Sequence, residues 1–282
     1  MDHKLKLMVV DDSPLFRTWL IHSLSADDRF QVVGYAVNAL DAQEKIPLLQ
    51  PDMLTLDIEM PGMSGIDFLK QLLPVHPIPV ILVSSLNLRV FDALEAGAVD
   101  FVRKPDEANG LSKEIFLSML RSKLMVAAAS HVHLPSAPAD PQAGGIRKVS
   151  SLPPARNTFL QKPKIPLGAS PETVIAIGAS TGGTEAILEV VKNFPADTPG
   201  VVITQHMPAG FTAMYAERLN RICKMEVREA KNGDRIRKGL MLLAPGGLQR
   251  RVVPLGNSYA VSVQEGEKVN GHRPSVDVLF DS

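Results

Sequence analysis

The chain has 282 residues, 45% of them hydrophobic, and its 30 basic residues balance 30 acidic ones. That length suits two domains, each burying its own core, and the even charge gives no bulk attraction to nucleic acid or to an anionic membrane surface. A single cysteine, Cys223, excludes an internal disulfide; no apolar run approaches the roughly 20 residues of a membrane span, and Met1-Asp2-His3-Lys4 lacks a signal peptide's apolar core, so a cytoplasmic location is expected.

Residues 1–126 alternate short apolar runs with amphipathic stretches. Strands are predicted over 5–10, 31–36, 53–56, 80–83 and 100–102, with helices over 14–25, 39–49, 65–73, 89–96 and 112–126. This βα alternation implies a parallel, doubly wound sheet covered on both faces, whose ligands bind at the carboxyl ends of the strands. Asp11 and Asp12 close the first strand, Asp57 the third and Ser84 the fourth, and Lys104 follows the fifth just before Pro105. Clustered carboxylates repel one another unless a hard divalent cation sits between them, and oxygen-only ligands suit magnesium. A carboxylate held beside magnesium and a lysine is equipped to attack a phosphoryl group. Any one of these aspartates could be a solvated strand cap, but their convergence at one sheet end favours a site.

Residues 127–172 hold eight prolines among Ser, Ala and Gly and no sustained apolar periodicity. The segment is expected to act as a stiff, solvated linker that spaces two bodies apart rather than packing as one.

Past it, the apolar run Val174-Ile175-Ala176-Ile177 leads into Gly178-Ala179-Ser180-Thr181-Gly182-Gly183 and a helix over 184–194. Gly178, Ser180 and Gly182 fit the G-x-S-x-G elbow, whose small flanking residues let the chain turn sharply and expose the serine hydroxyl. The N–H groups of Thr181 and Gly182 and the head of the helix would face a developing oxyanion. Glycine-rich strand-to-helix turns also bind phosphates, so the motif alone admits both readings. His206 closes the next predicted strand, 200–204, one crossover later; if the two strands are neighbours, their ends lie about 4.8 Å apart, within reach of a serine–imidazole hydrogen bond. A helix is predicted over 211–222. His272, beside Arg273 and Pro274, is expected to be a substrate-side or structural group. The runs 240–244, 248–254 and 259–264, joined by Pro245-Gly246-Gly247 and Gly256-Asn257, read as an antiparallel hairpin insert on a parallel sheet.

Residues 4–125 resemble the receiver domain of two-component response regulators, through Val9-Val10-Asp11-Asp12-Ser13, Leu56-Asp57-Ile58-Glu59-Met60-Pro61-Gly62, Val83-Ser84-Ser85 and Phe101-Val102-Arg103-Lys104-Pro105. The resemblance implies a flavodoxin-like fold in which Asp57 is the phosphoacceptor, and Asp11, Asp12 and Asp57 hold Mg2+. It also implies that Ser84 and Lys104 sense the phosphoryl group and that Phe101 is the aromatic switch. The stretch from Ser85 to Phe101 runs a few residues short of the family pattern, with Asn87-Leu88-Arg89 in place of a longer glycine-containing loop.

Residues 173–282 resemble the Rossmann-like catalytic domain of the chemotaxis protein-glutamate methylesterase family. The match runs through Ala176 to Ile187, Thr204-Gln205-His206-Met207-Pro208 and His272-Arg273-Pro274-Ser275-Val276-Asp277-Val278-Leu279-Phe280. It implies that Ser180 is the nucleophile and His206 the general base, with no cofactor for ester hydrolysis. The implied partners are methyl-accepting chemotaxis receptors, whose glutamate methyl esters are cleaved and whose glutamines are deamidated, and a chemotaxis histidine kinase. The family's third catalytic residue, an aspartate in a Gly-Met-Gly-x-Asp-Gly turn, has no counterpart before Asp281-Ser282, so the chain reads as C-terminally incomplete. Neither Asp277 nor Asp281 takes that role by motif. Two alternatives stay open: a non-hydrolytic signalling and binding module, and an α/β-hydrolase with the order Ser180, Asp234, His272.

Overall fold

The computed structural model describes residues 4–85, 89–105, 111–129 and 173–282. Asn87, Leu88 and all but the first residues of the proline-rich 127–172 segment lie outside the described residues.

The N-terminal unit is a five-stranded parallel sheet of β1 (Leu5–Val10), β2 (Phe30–Ala36), β3 (Met53–Leu56), β4 (Val80–Ser84) and β5 (Asp100–Arg103), in the order β2-β1-β3-β4-β5. Five helices cover it: α1 (Pro14–Ser25), α2 (Ala39–Leu49), α3 (Gly65–Leu72), α4 (Arg89–Glu95) and α5 (Lys113–Ala128). Side-chain caps set several starts, because helical N–H groups in the first turn lack internal partners. Ser13, Asn38, Ser64 and Ser112 accept from the N–H of Phe16, Asp41, Asp67 and Ile115, and Pro14 supplies a preset φ at the head of α1. The α5 helix runs two residues past the predicted 126. β3 and β4 are buried throughout, as expected of strands covered on both faces.

The C-terminal unit has a four-stranded parallel sheet of β6 (Val174–Ala179), β7 (Gly200–Gln205), β8 (Glu226–Glu229) and β9 (Leu240–Leu243), in the order β6-β7-β9-β8. α6 (Gly183–Val191) follows β6, and α7 (Phe211–Ile222) follows β7. β10 (Gln249–Leu255) and β11 (Ser258–Gln264) form a separate antiparallel ribbon, and a short α8 (Val276–Phe280) packs on β6 and β10. The expected antiparallel insert is therefore smaller than predicted. Leu240–Leu243 pairs in parallel with β7 on one side and β8 on the other; only β10 and β11 form the hairpin. β8 was not anticipated, because Glu226-Val-Arg-Glu is an edge strand whose charged residues give no apolar run.

Among the described residues the two units pack on one another. One hydrophobic cluster runs from α4 and β5 of the first unit into α6 and α7 of the second. Phe101 on β5 lies 4.5 Å, centroid to centroid, from Phe211 at the head of α7, and Phe91 on α4 stacks on Tyr215 at 5.5 Å. Beside them the nearly buried Arg218 reaches Glu185 on α6 at 2.7 Å and Glu95 on α4 at 3.3 Å, with its guanidinium over Phe91. Among the described residues no helix is long and apolar enough to cross a membrane.

Candidate active site

Register brings the predicted serine and histidine together. β6 and β7 pair in parallel with Ala179 opposite Gln205, so Ser180 and His206 leave adjacent strands at the same level. The His206 N–H donates to the Ala179 carbonyl at 3.1 Å, and the imidazole Nδ1 lies 3.2 Å from Ser180 Oγ. Ser180 is exposed at the tip of its turn. Gly182 makes that turn, at φ 74° as the cap of α6, a region that favours glycine. Gly178 has a different duty from the bend expected of it. It is an ordinary strand residue, and a Cβ there would lie 2.4 Å from Val276 on α8.

Two further groups contact the imidazole. His272 stacks on it almost parallel, with centroids 3.7 Å apart, and the Val276 N–H donates to Nε2 at 3.4 Å. Burial, the charge of His272 and that of Lys123 together pull the His206 pKa down to about 4, against a small opposing pull from Asp277. The ring is therefore neutral near pH 7. Because Nε2 accepts from Val276, the neutral proton sits on Nδ1 and points at Ser180; proton abstraction needs the other tautomer, with Nδ1 bare.

No carboxylate among the described residues bonds His206. Asp277 accepts from Asn270 at 2.7 Å. Asp234 is tied to Arg228 at 2.5 Å and to the Lys231 N–H, on the β8 edge, so the order Ser180, Asp234, His272 finds no geometric support. Gln205 was not anticipated as part of this site. Its side-chain amide donates to the Ser180 carbonyl at 2.8 Å and lies 3.4 Å from the His206 carbonyl. The available signal was a polar residue closing an otherwise apolar strand.

At the corresponding end of the other sheet, carboxylate oxygens of Asp11, Asp12 and Asp57 lie within 4.8 Å of one another. Lys104 Nζ reaches Asp57 at 2.5 Å and Asp11 at 2.9 Å, and the Glu59 N–H holds the second Asp57 oxygen. Burial raises the Asp57 pKa despite Lys104, and the two carboxylates raise that of Lys104 against its own desolvation. Ser84 Oγ is buried without a hydrogen-bond partner among the described residues, and Phe101 is buried against Phe211 at the interface.

Residues 175–282 match the family described as CheB methylesterase, and residues 7–116 match the response regulator receiver domain. The chain is 48% identical, over 99% of its length, to the protein-glutamate methylesterase/protein-glutamine glutaminase 2 of Syntrophomonas wolfei subsp. wolfei. This chain belongs to the protein-glutamate methylesterase/protein-glutamine glutaminase family. A methylesterase of the same description from Syntrophotalea carbinolica is also 48% identical, over the whole chain. These two methylesterases are longer, and the chain spans 76% and 77% of their lengths. The solved response regulator domain of Thermotoga maritima CheB is 36% identical over 45% of the chain and 98% of that domain, with a TM-score of 0.42.

Proposed function

We propose that the chain hydrolyses glutamate methyl esters on chemotaxis receptors and deamidates receptor glutamines, under the control of phosphorylation at Asp57. The observation that carries the hydrolytic reading is the 3.2 Å approach of His206 to Ser180 Oγ at the ends of adjacent strands. Ser180 Oγ attacks the side-chain carbonyl carbon while His206, in its Nδ1-bare tautomer, takes the hydroxyl proton. The carbonyl electrons move to an oxyanion facing the N–H groups of Thr181 and Gly182 and the head of α6. Collapse expels methanol, or ammonia from a glutamine, protonated by the imidazolium. Water deprotonated by His206 then attacks the acyl-serine, releasing glutamate and restoring Ser180. A non-hydrolytic module is not favoured, because relatives matching nearly the whole chain are named as hydrolases.

On the receiver side, the Asp57 carboxylate attacks phosphorus of a kinase phosphohistidine, and the histidine leaves. The acidic trio fits Mg2+, since its donors are all oxygens close enough to share one ion. When bound, that ion neutralises charge on the phosphoryl oxygens. Lys104 and the unpartnered Ser84 Oγ are positioned to take hydrogen bonds with the new phosphoryl group. Drawing Ser84 toward Asp57 vacates space next to β5, so Phe101 turns inward and leaves Phe211, loosening the receiver from α6 and α7.

The test is release of labelled methanol from methyl-esterified receptor membranes by the chain, with and without acetyl phosphate. Ser180→Ala is expected to abolish release, and Asp57→Ala to abolish its stimulation by acetyl phosphate. Release that survives Ser180→Ala sinks the hydrolytic assignment.

A further inference from the structure

We propose that Gln205 is the positioning residue of the oxyanion hole, a role that rests on the hydrolytic reading of Ser180. Gln205 closes β7 and is 2% exposed. Its Nε2 donates to the carbonyl of Ser180 at 2.8 Å. That carbonyl belongs to the Ser180–Thr181 peptide, which is a rigid plane with its C=O and N–H pointing in opposite directions. Holding the oxygen therefore sets the direction of the Thr181 N–H, the donor that immediately follows the nucleophile. The same carbonyl accepts the Gly183 N–H at 2.8 Å, so it is clamped from two sides. A third contact, 3.4 Å to the His206 carbonyl, ties this clamp to the strand end that carries the base.

The arrangement demands an amide. Both contacts of Nε2 are carbonyl oxygens, so this end of the side chain has to donate. A carboxylate there would set oxygen against oxygen. The other end, Oε1, is buried without a partner among the described residues and lies against the head of α6. A Cβ on Gly183 would stand 2.2 Å from Oε1, so the glycine after the elbow makes room for this amide. An unsatisfied buried acceptor costs stability, and a residue serving packing alone would avoid it; preorganisation of the Thr181 N–H is the compensating gain.

The experiment uses the full chain and two variants, Gln205→Glu and Gln205→Met. The first readout is the second-order rate at which a fluorophosphonate labels Ser180, with phosphorus gaining the serine oxygen and losing fluoride, and with its P=O oxygen seated in the oxyanion hole. The second is the amide resonance of Thr181 in a 15N-labelled chain. Labelling is expected to slow about 100-fold, with an unchanged pH midpoint in Gln205→Met, which adds no charge beside the imidazole, and the Thr181 resonance is expected to move. Folded variants that label at the wild-type rate overturn the proposal. If the wild-type chain itself does not label, the hydrolytic reading fails separately, and an unmoved Thr181 resonance in the variants still overturns the role of Gln205. Gly183→Ala is a third variant, and its new methyl is expected to displace the amide and slow labelling in the same way.

Discussion

His206 is kept neutral by its burial and by the ring laid over it. Stacking on His272 removes water from one face of the imidazole and places a second titratable ring within 4 Å, and both effects favour the neutral base. The sign follows directly: a base is active when unprotonated, so serine reactivity is lost as pH falls through the His206 pKa, about 4, not through the usual 6.5. In His272→Ala the ring regains water and loses its like-charged neighbour. The acid limb of the fluorophosphonate-labelling rate is then expected to move up by one to two pH units, on the order of the shift burial imposes. A limb that stays near pH 4 in His272→Ala would show that the stack does not tune the base. Ser180, His206, Asp57 and Lys104 were legible in the sequence because each closes an apolar run, and strand ends in a parallel sheet lie at one level. His272 and Gln205 were not legible in these roles. His272 reaches the site through an irregular loop, and the contacts of Gln205 are to backbone carbonyls, which leave no side-chain pattern.

At the scale of elements, the first glycine of the G-x-S-x-G run answers to α8 more than to the elbow. Gly178 lets Val276 and Phe280 close on β6, since an added Cβ would lie 2.4 and 2.8 Å from them. That packing holds the Val276 N–H against His206 Nε2. Gly178→Ala is expected to push α8 outward, costing about 1–3 kcal/mol of overpacking strain. The expected signs are faster hydrogen exchange over 276–280 and a lowered melting temperature. Unchanged exchange there would mean that α8 does not depend on β6. The helices of the first unit lay within a residue or two of their predicted ends because side-chain caps and amphipathic spacing agree. Leu240–Leu243 misled because a four-residue apolar run carries no directional signal, and the Pro245-Gly246-Gly247 turn after it resembles a hairpin; only its neighbours, β7 and β8, make it parallel.

Across the whole molecule, the regulatory reading depends on one interface, made where α4 and β5 of the receiver rest on α6 and α7 beside the serine. Each aromatic pair there contributes about 0.5–1.5 kcal/mol beyond the apolar area it buries. The Arg218–Glu95 pair is worth no more than about 1 kcal/mol, because Glu95 is 72% exposed. Glu95 is also the contact that can be changed without disturbing either core. Glu95→Lys sets an ammonium beside the nearly buried Arg218 guanidinium, replacing attraction with repulsion while Glu185 continues to hold Arg218 from its own side. A shift of about 1 kcal/mol multiplies the open fraction about fivefold. Unphosphorylated Glu95→Lys is therefore expected to release methanol from methylated receptors several-fold faster than the parent chain, and acetyl phosphate is expected to add proportionally less. If the basal rate of Glu95→Lys equals that of the parent while both respond alike to acetyl phosphate, the Glu95–Arg218 pair does not hold the enzyme shut, and the restraint has to come through the aromatic pairs Phe101–Phe211 and Phe91–Tyr215.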